Sequence, residues 1–250
     1  MAPLKVLLIK AGMAAPAIRE SQGDYDAWFR ATIPAELATL EVVNAFEPAP
    51  LPRAREFDAL LMTGSPLSMT TPEPWMLATS KYVRAAVEDG APFLGVCFGH
   101  QLLGHAFGAK VVRNPNGREI GTVVVEVTEE GRKDALFEGE TARVAFQATH
   151  EDIVVEPTAA LRVLASNGNT AVQAIAAGKR ARGVQFHPEM SDATMRVLID
   201  VRREAVDREG VARGLAKGEA VERALASVKP STAGPALLRT FLERFGGSWG

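Results

Sequence analysis

Short apolar runs alternate along the chain with longer stretches whose apolar residues recur at helical spacing. That is the pattern of a central, partly parallel sheet covered by helices on both faces. Residues 4–11 read as a first strand, 25–37 as a helix interrupted by Pro34, and 40–46 as a second strand. Residues 57–62 form a third strand, halted by the turn-forming run Thr63-Gly64-Ser65-Pro66, and Pro74–Glu88 then reads as a helix closed by Asp89-Gly90. A short buried strand at 91–96 leads straight into Cys97 and a helical segment at 98–107. Strands dominate 110–184, with 122–127, 143–146 and 171–175 the clearest, and a last strand at 183–186 delivers His187. From Ser191, read as an N-cap, the pattern is helical almost to the end, closing with an amphipathic stretch at 237–245. No internal repeat, low-complexity tract or long linker interrupts the chain. The expectation is one α/β domain over 1–250, with a mixed, largely parallel sheet in a core of about 4–190 and a helical C-terminal extension at 191–250.

Composition narrows the partners. A chain of 250 residues with 47% hydrophobic content has enough apolar material for a substantial core. A net charge of −2 gives no reason to expect nucleic acid. The nearest basic group, Lys179, Arg180 and Arg182, lies between two apolar segments and reads as a solvated hairpin turn. The apolar run at 3–10 is too short for a signal sequence or a membrane span and is closed by Lys10, so no membrane partner is expected. A single cysteine excludes an internal disulfide framework and suits a reducing compartment, which places the chain in the cytoplasm.

That cysteine sits in Gly95-Val96-Cys97-Phe98-Gly99, the form of a nucleophile elbow, where a strand turns sharply into a helix and small residues two before and two after relieve crowding. A sulfur at a helix N-terminus feels the positive end of the helix dipole, which favours the thiolate. An arbitrary lone cysteine is more often a small buried hydrophobe; the glycine frame after an apolar strand is what singles this one out. His187 and Glu189 supply a base and a carboxylate to orient it, and residues two apart in an extended segment point the same way. A lone histidine at a strand end is otherwise a structural residue. His100 and His105 read as non-catalytic helix residues, and the four histidines and one cysteine have no zinc-like spacing, so neither metal nor cofactor is expected.

The stretches Gly95-Val96-Cys97-Phe98-Gly99-His100-Gln101 and Gly183-Val184-Gln185-Phe186-His187-Pro188-Glu189 together resemble the nucleophile and His-Pro-Glu motifs of the class I glutamine amidotransferases. Weaker likenesses are Glu119-Ile120-Gly121 and Thr149-His150-Glu151-Asp152, the latter similar to a segment that lines the glutamine pocket. The resemblance implies a Cys97–His187–Glu189 triad and an oxyanion hole from the backbone N–H groups of Phe98 and Ser65. It also implies substrate contacts at Gly64, Gln101, Thr149 and His150, with a structural hydrogen bond the competing role for His150. Ser65 departs from the commoner glycine. The substrate implied is L-glutamine or another γ-glutamyl compound. The chain carries no phosphate-binding loop, so the ammonia of a glutaminase would pass to a separate synthetase subunit. The free-standing members include γ-glutamyl peptidases, whose leaving group is an amino acid or peptide; that reading stays open, as does a non-catalytic binding domain.

Overall fold

The structure, a computed structural model, describes residues 2–249. Its strands are β1 (Leu4–Lys10), β2 (Ala38–Asn44), β3 (Ala59–Met62), β4 (Phe93–Val96), β5 (Lys110–Arg113), β6 (Glu119–Val127), β7 (Arg143–His150), β8 (Asp152–Val155), β9 (Leu161–Ser166), β10 (Ala174–Ala177) and β11 (Ala181–Val184). The helices are α1 (Pro16–Gln22), α2 (Tyr25–Thr32), α3 (Pro74–Glu88), α4 (Phe98–Ala106), α5 (Glu129–Arg132), α6 (Asp192–Val201), α7 (Arg203–Ala212), α8 (Glu219–Ser227) and α9 (Ala233–Phe245). Nine strands form one mixed sheet in the order β2-β1-β3-β4-β11-β10-β9-β6-β7, and β5 pairs with β8 in a small second sheet. Pairing is parallel from β2 through β11 and antiparallel from there to β7.

The middle strands are covered on both faces, which is why they read as continuous apolar runs. In β1, Val6 and Leu8 face one core while Leu7 and Ile9 face the other. The first core takes Phe29 of α2 and Leu237, Leu238, Phe241, Leu242 and Phe245 of α9. The second takes Met76 and Val83 of α3 with Phe98, Leu102 and Leu103 of α4. A third cluster joins α1 and α2 to α6, α7 and α8 through Ile18, Trp28, Met195, Leu198, Val206 and Val221. The last helix of the C-terminal extension is thus part of the main core.

Most elements lie where periodicity places them, and the differences have local causes. Helix α2 stops at Thr32 rather than near residue 37, because Pro34 restricts Ile33 to extended backbone. Helix α1 has no counterpart in the apolar periodicity; it is a short helix of about two turns begun by Pro16. Ser191 caps α6, its hydroxyl accepting from the Thr194 N–H at 3.0 Å. Arg182 is not in a solvated turn. It is a buried β11 residue whose Nε donates to Asp134 Oδ1 at 2.9 Å, and its guanidinium lies over the Phe245 ring. Lys179 and Arg180 do occupy the turn before it.

Candidate active site

Register sets the site. Strands β4 and β11 run parallel with Gly95 opposite Gly183 and Val96 opposite Val184, so Cys97 and Gln185 leave the sheet side by side at its carboxyl edge. Thr63 leaves β3 at the same edge, where ligands of such sheets bind. Cys97 has φ 51° and ψ −100°, a left-handed conformation costly for a residue with a Cβ. The turn is tight enough that a Cβ on Gly95 would strike the Gly99 carbonyl, and one on Gly99 would lie 2.9 Å from the Met62 carbonyl oxygen. Both glycines of the elbow are therefore required by space. Phe98 begins α4, so its N–H has no intrahelical acceptor.

After β11 the chain stops pairing with β4 and crosses to the antiparallel half. Gln185 N donates to Gln173 O at 2.8 Å and His187 N to Gln147 O at 2.7 Å. Alternation persists: Val184 and Phe186 enter the core, while Gln185 and His187 turn toward Cys97. His187 Nδ1 meets Glu189 Oε1 at 2.7 Å, and Cys97, His187 and Glu189 are only 6%, 3% and 3% exposed. His187 Nε2 carries no hydrogen bond among the described residues. Burial opposes charge on this imidazole, but the Glu189 carboxylate and the Cys97 sulfur outweigh it and raise its pKa to about 10. The arrangement favours an imidazolium at His187, beside the Cys97 sulfur.

Gln185 was not singled out from the sequence. Its side chain is fully buried; Nε2 donates to Cys97 Sγ at 3.6 Å and Oε1 accepts from Gln101 Nε2 at 3.3 Å. Its place two residues before His187, in the same alternation, was the available signal. Sγ also lies 4.0 Å from the Thr149 carbonyl oxygen.

A cleft of about 460 Å³ opens above the sulfur, and Ser65, Cys97, Phe98, Gln101, Thr149 and His150 all line it. Gly64 packs beneath His187 and Cys97: a Cβ there would sit 2.9 Å from His187 Cε1 and 3.6 Å from Cys97 Cβ. Gln101 Nε2 donates to the Asp152 carbonyl at 2.9 Å. His150 is hydrogen-bonded on both ring nitrogens, with Nε2 2.9 Å from Glu119 Oε2 and Nδ1 3.2 Å from the Asp152 carbonyl. Burial would raise the Glu119 carboxyl, yet His150, Asn167 and Gln173 together hold it below its ordinary value. The other cleft walls carry Arg113, Arg118 and Arg202, none of them evident from local sequence. His100 lies in the core against Gly183, where burial pushes its pKa down to about 3, and His105 Nδ1 is 3.0 Å from Ser80 Oγ. Among the described residues no three potential metal ligands cluster, and no helix is long and apolar enough to cross a membrane.

Comparison with known proteins bears on the family and the fold. The family model "Glutamine amidotransferase class-I" matches residues 25–199. A glutamine-hydrolyzing GMP synthase subunit from Saccharolobus solfataricus is 34% identical over 154 residues, covering 61% of this chain and 77% of its own. A putative glutamine amidotransferase-like protein of Schizosaccharomyces pombe is 29% identical over 161 residues, covering 62% of this chain and 63% of its own. A glutamine amidotransferase from Thermotoga maritima has the same fold, with a TM-score of 0.72 at 23% identity over 98% of this chain and 99% of that one.

Proposed function

The chain belongs to the class-I glutamine amidotransferase family, and from that premise we propose that it hydrolyses the γ-amide of L-glutamine or a related γ-glutamyl compound through a thioester on Cys97. The observation that carries the reading is the buried Cys97–Gln185–His187–Glu189 arrangement at the strained elbow. The Cys97 thiolate attacks the γ-carbonyl carbon. The developing oxyanion accepts from the backbone N–H groups of Phe98 and Ser65, a kind of donor worth roughly 3 kcal/mol of barrier each. As the tetrahedral intermediate collapses, the C–N bond breaks and the His187 imidazolium protonates the departing nitrogen. Neutral His187 then takes a proton from water, which attacks the thioester and releases glutamate, and the thiolate–imidazolium pair is restored. Glu189 holds the imidazole in the tautomer this requires. Gln101 and Thr149 border the acyl group, and the likeness to the Saccharolobus GMP synthase protein supports ammonia transfer to a separate synthetase. A reducing, cytoplasmic setting keeps the thiol competent.

The test is glutamate release by the purified chain from L-glutamine and, in parallel, from γ-glutamyl dipeptides, with Cys97→Ala as control. Release that Cys97→Ala abolishes is expected. Iodoacetamide modification of Cys97 no faster than of free cysteine at neutral pH, together with silence on every substrate, would refute the reading.

A further inference from the structure

Arg202 lines the same cleft as Cys97, at the junction of α6 and α7 and three residues past the end of the family match. The cleft's other cations are committed. Arg113 and Arg118 both pair with Glu151, and both reach Glu209, Arg118 at 2.9 Å and Arg113 at 3.7 Å. Asp152, the remaining carboxylate of the lining, accepts from the Ser68 hydroxyl. Arg202 has no carboxylate partner among the described residues, and the one hydrogen bond of its side chain there runs from Nη1 to Thr149 Oγ1 at 2.6 Å. A guanidinium has five N–H donors in a planar fork, so Thr149 fixes the group while leaving most of the fork unused. Desolvation lowers the pKa of this guanidinium, with Arg118 adding to the effect and Tyr25, Cys97 and Glu151 opposing it. A partly buried guanidinium with no carboxylate in salt-bridge range bears a desolvation cost, and an anionic ligand offsets it. Ala205, three residues on, lines the same wall with only a methyl group.

Resting on the γ-glutamyl chemistry proposed above, we infer that Arg202 anchors a carboxylate of the substrate, so that the cleft selects γ-glutamyl compounds by that charge. Two carboxylates have this chemistry: the α-carboxylate of the γ-glutamyl group, and the carboxylate of a departing amino acid. The selectivity then resides in the C-terminal helices rather than in the nucleophile and His-Pro-Glu segments.

The experiment is calorimetric binding to the Cys97→Ser protein, with Arg202 intact and as Arg202→Met or Arg202→Lys. The probes are γ-glutamylglycine, γ-glutamylethylamide, which lacks the leaving-side carboxylate, and 4-aminobutanoylglycine, which lacks the α-carboxylate. Arg202→Met is expected to weaken binding about 30-fold wherever the anchored carboxylate is present, the scale of a charge-assisted hydrogen bond, and Arg202→Lys to restore part of it. Loss on the two γ-glutamyl probes alone assigns the α-carboxylate. Loss on the two glycine-bearing probes alone assigns the leaving group. Unchanged affinities in Arg202→Met overturn the inference, as does failure of every probe to bind with Arg202 intact. Equal loss on all three probes, with slower alkylation of Cys97 by neutral iodoacetamide in the Arg202→Met chain, overturns it too, because that marks a structural role. Absence of glutamate release by the unmodified chain, with these affinity differences intact, counts against the hydrolysis and not against the anchor.

Discussion

Gly64 offers a steric test of how His187 is held beside Cys97. It is not in the left-handed region, so Gly64→Ala is tolerated by the backbone and its effect comes from the added methyl alone. That Cβ would lie 2.9 Å from His187 Cε1, about 0.5 Å inside the 3.4 Å at which ordinary contact begins. Neither side gives easily. The strand end is fixed by Thr63, whose N–H donates to Ile9 O at 3.0 Å and whose hydroxyl donates to Gly64 O at 2.8 Å and accepts from Ala11 N at 3.0 Å. The ring is held from behind by Glu189 at 2.7 Å. The imidazole is therefore expected to shift away from residue 64 and out of its present position relative to Cys97. A 1 Å misplacement of reacting groups costs about 100-fold, so a shift of this size is expected to lower kcat/KM by about 10- to 100-fold. Overpacking adds a loss of about 1–3 kcal/mol in stability. Glutamate release and urea unfolding of Gly64→Ala measure the two effects, with Gly168→Ala as control, since a Cβ at Gly168 meets nothing within 4 Å. A Gly64→Ala enzyme with kcat/KM equal to that of the Gly168 control would refute the argument that this glycine spaces the triad.

In the pH profile, His187 raised from 6.5 to about 10 contributes stability that is fully present below 6.5 and lost as pH climbs through 10, so the alkaline limb of kcat/KM should fall near 10. Glu189→Gln removes the carboxylate that helps hold the proton; the limb should move toward neutrality and kcat should fall by up to about 10⁴-fold, the scale seen when an amide replaces the orienting carboxylate of a triad. An unmoved limb would show that Glu189 does not set the charge of His187. Arg182→Met takes from the buried Asp134 its nearer guanidinium, at 2.8 Å, and leaves only Arg162 at 3.5 Å; it should cost about 1–3 kcal/mol by urea titration, with kcat/KM of the folded enzyme unchanged. Phe241→Ala empties a fully buried site where α9 meets the sheet and should cost about 3–5 kcal/mol, whereas a loss below about 1 kcal/mol would mean that α9 is peripheral.

The sequence by itself determined the elements whose signals are local. Apolar runs fully buried on both faces, the glycine frame of Cys97, the Pro74 start and the Ser191 cap all follow from neighbours within a few residues, and they lie where periodicity and capping place them. Cys97 and His187 were legible as candidates because each sits in a distinctive short motif. Tertiary structure decided what depends on contacts distant in the chain. Arg182 looked like part of a solvated turn because nothing near it in sequence announces Asp134, 48 positions away, as its partner. Gln185 reaches the sulfur only because β11 lies in register beside β4, and His150 is tied down by Glu119 from the adjoining strand. Arg202 faces the cleft because α6 packs across α1 and α8 and ends beside Thr149, 53 positions earlier in the chain. A side chain's spacing can be read from its neighbours, but its counter-ion, or the lack of one, is fixed only when distant segments share the same low-dielectric volume.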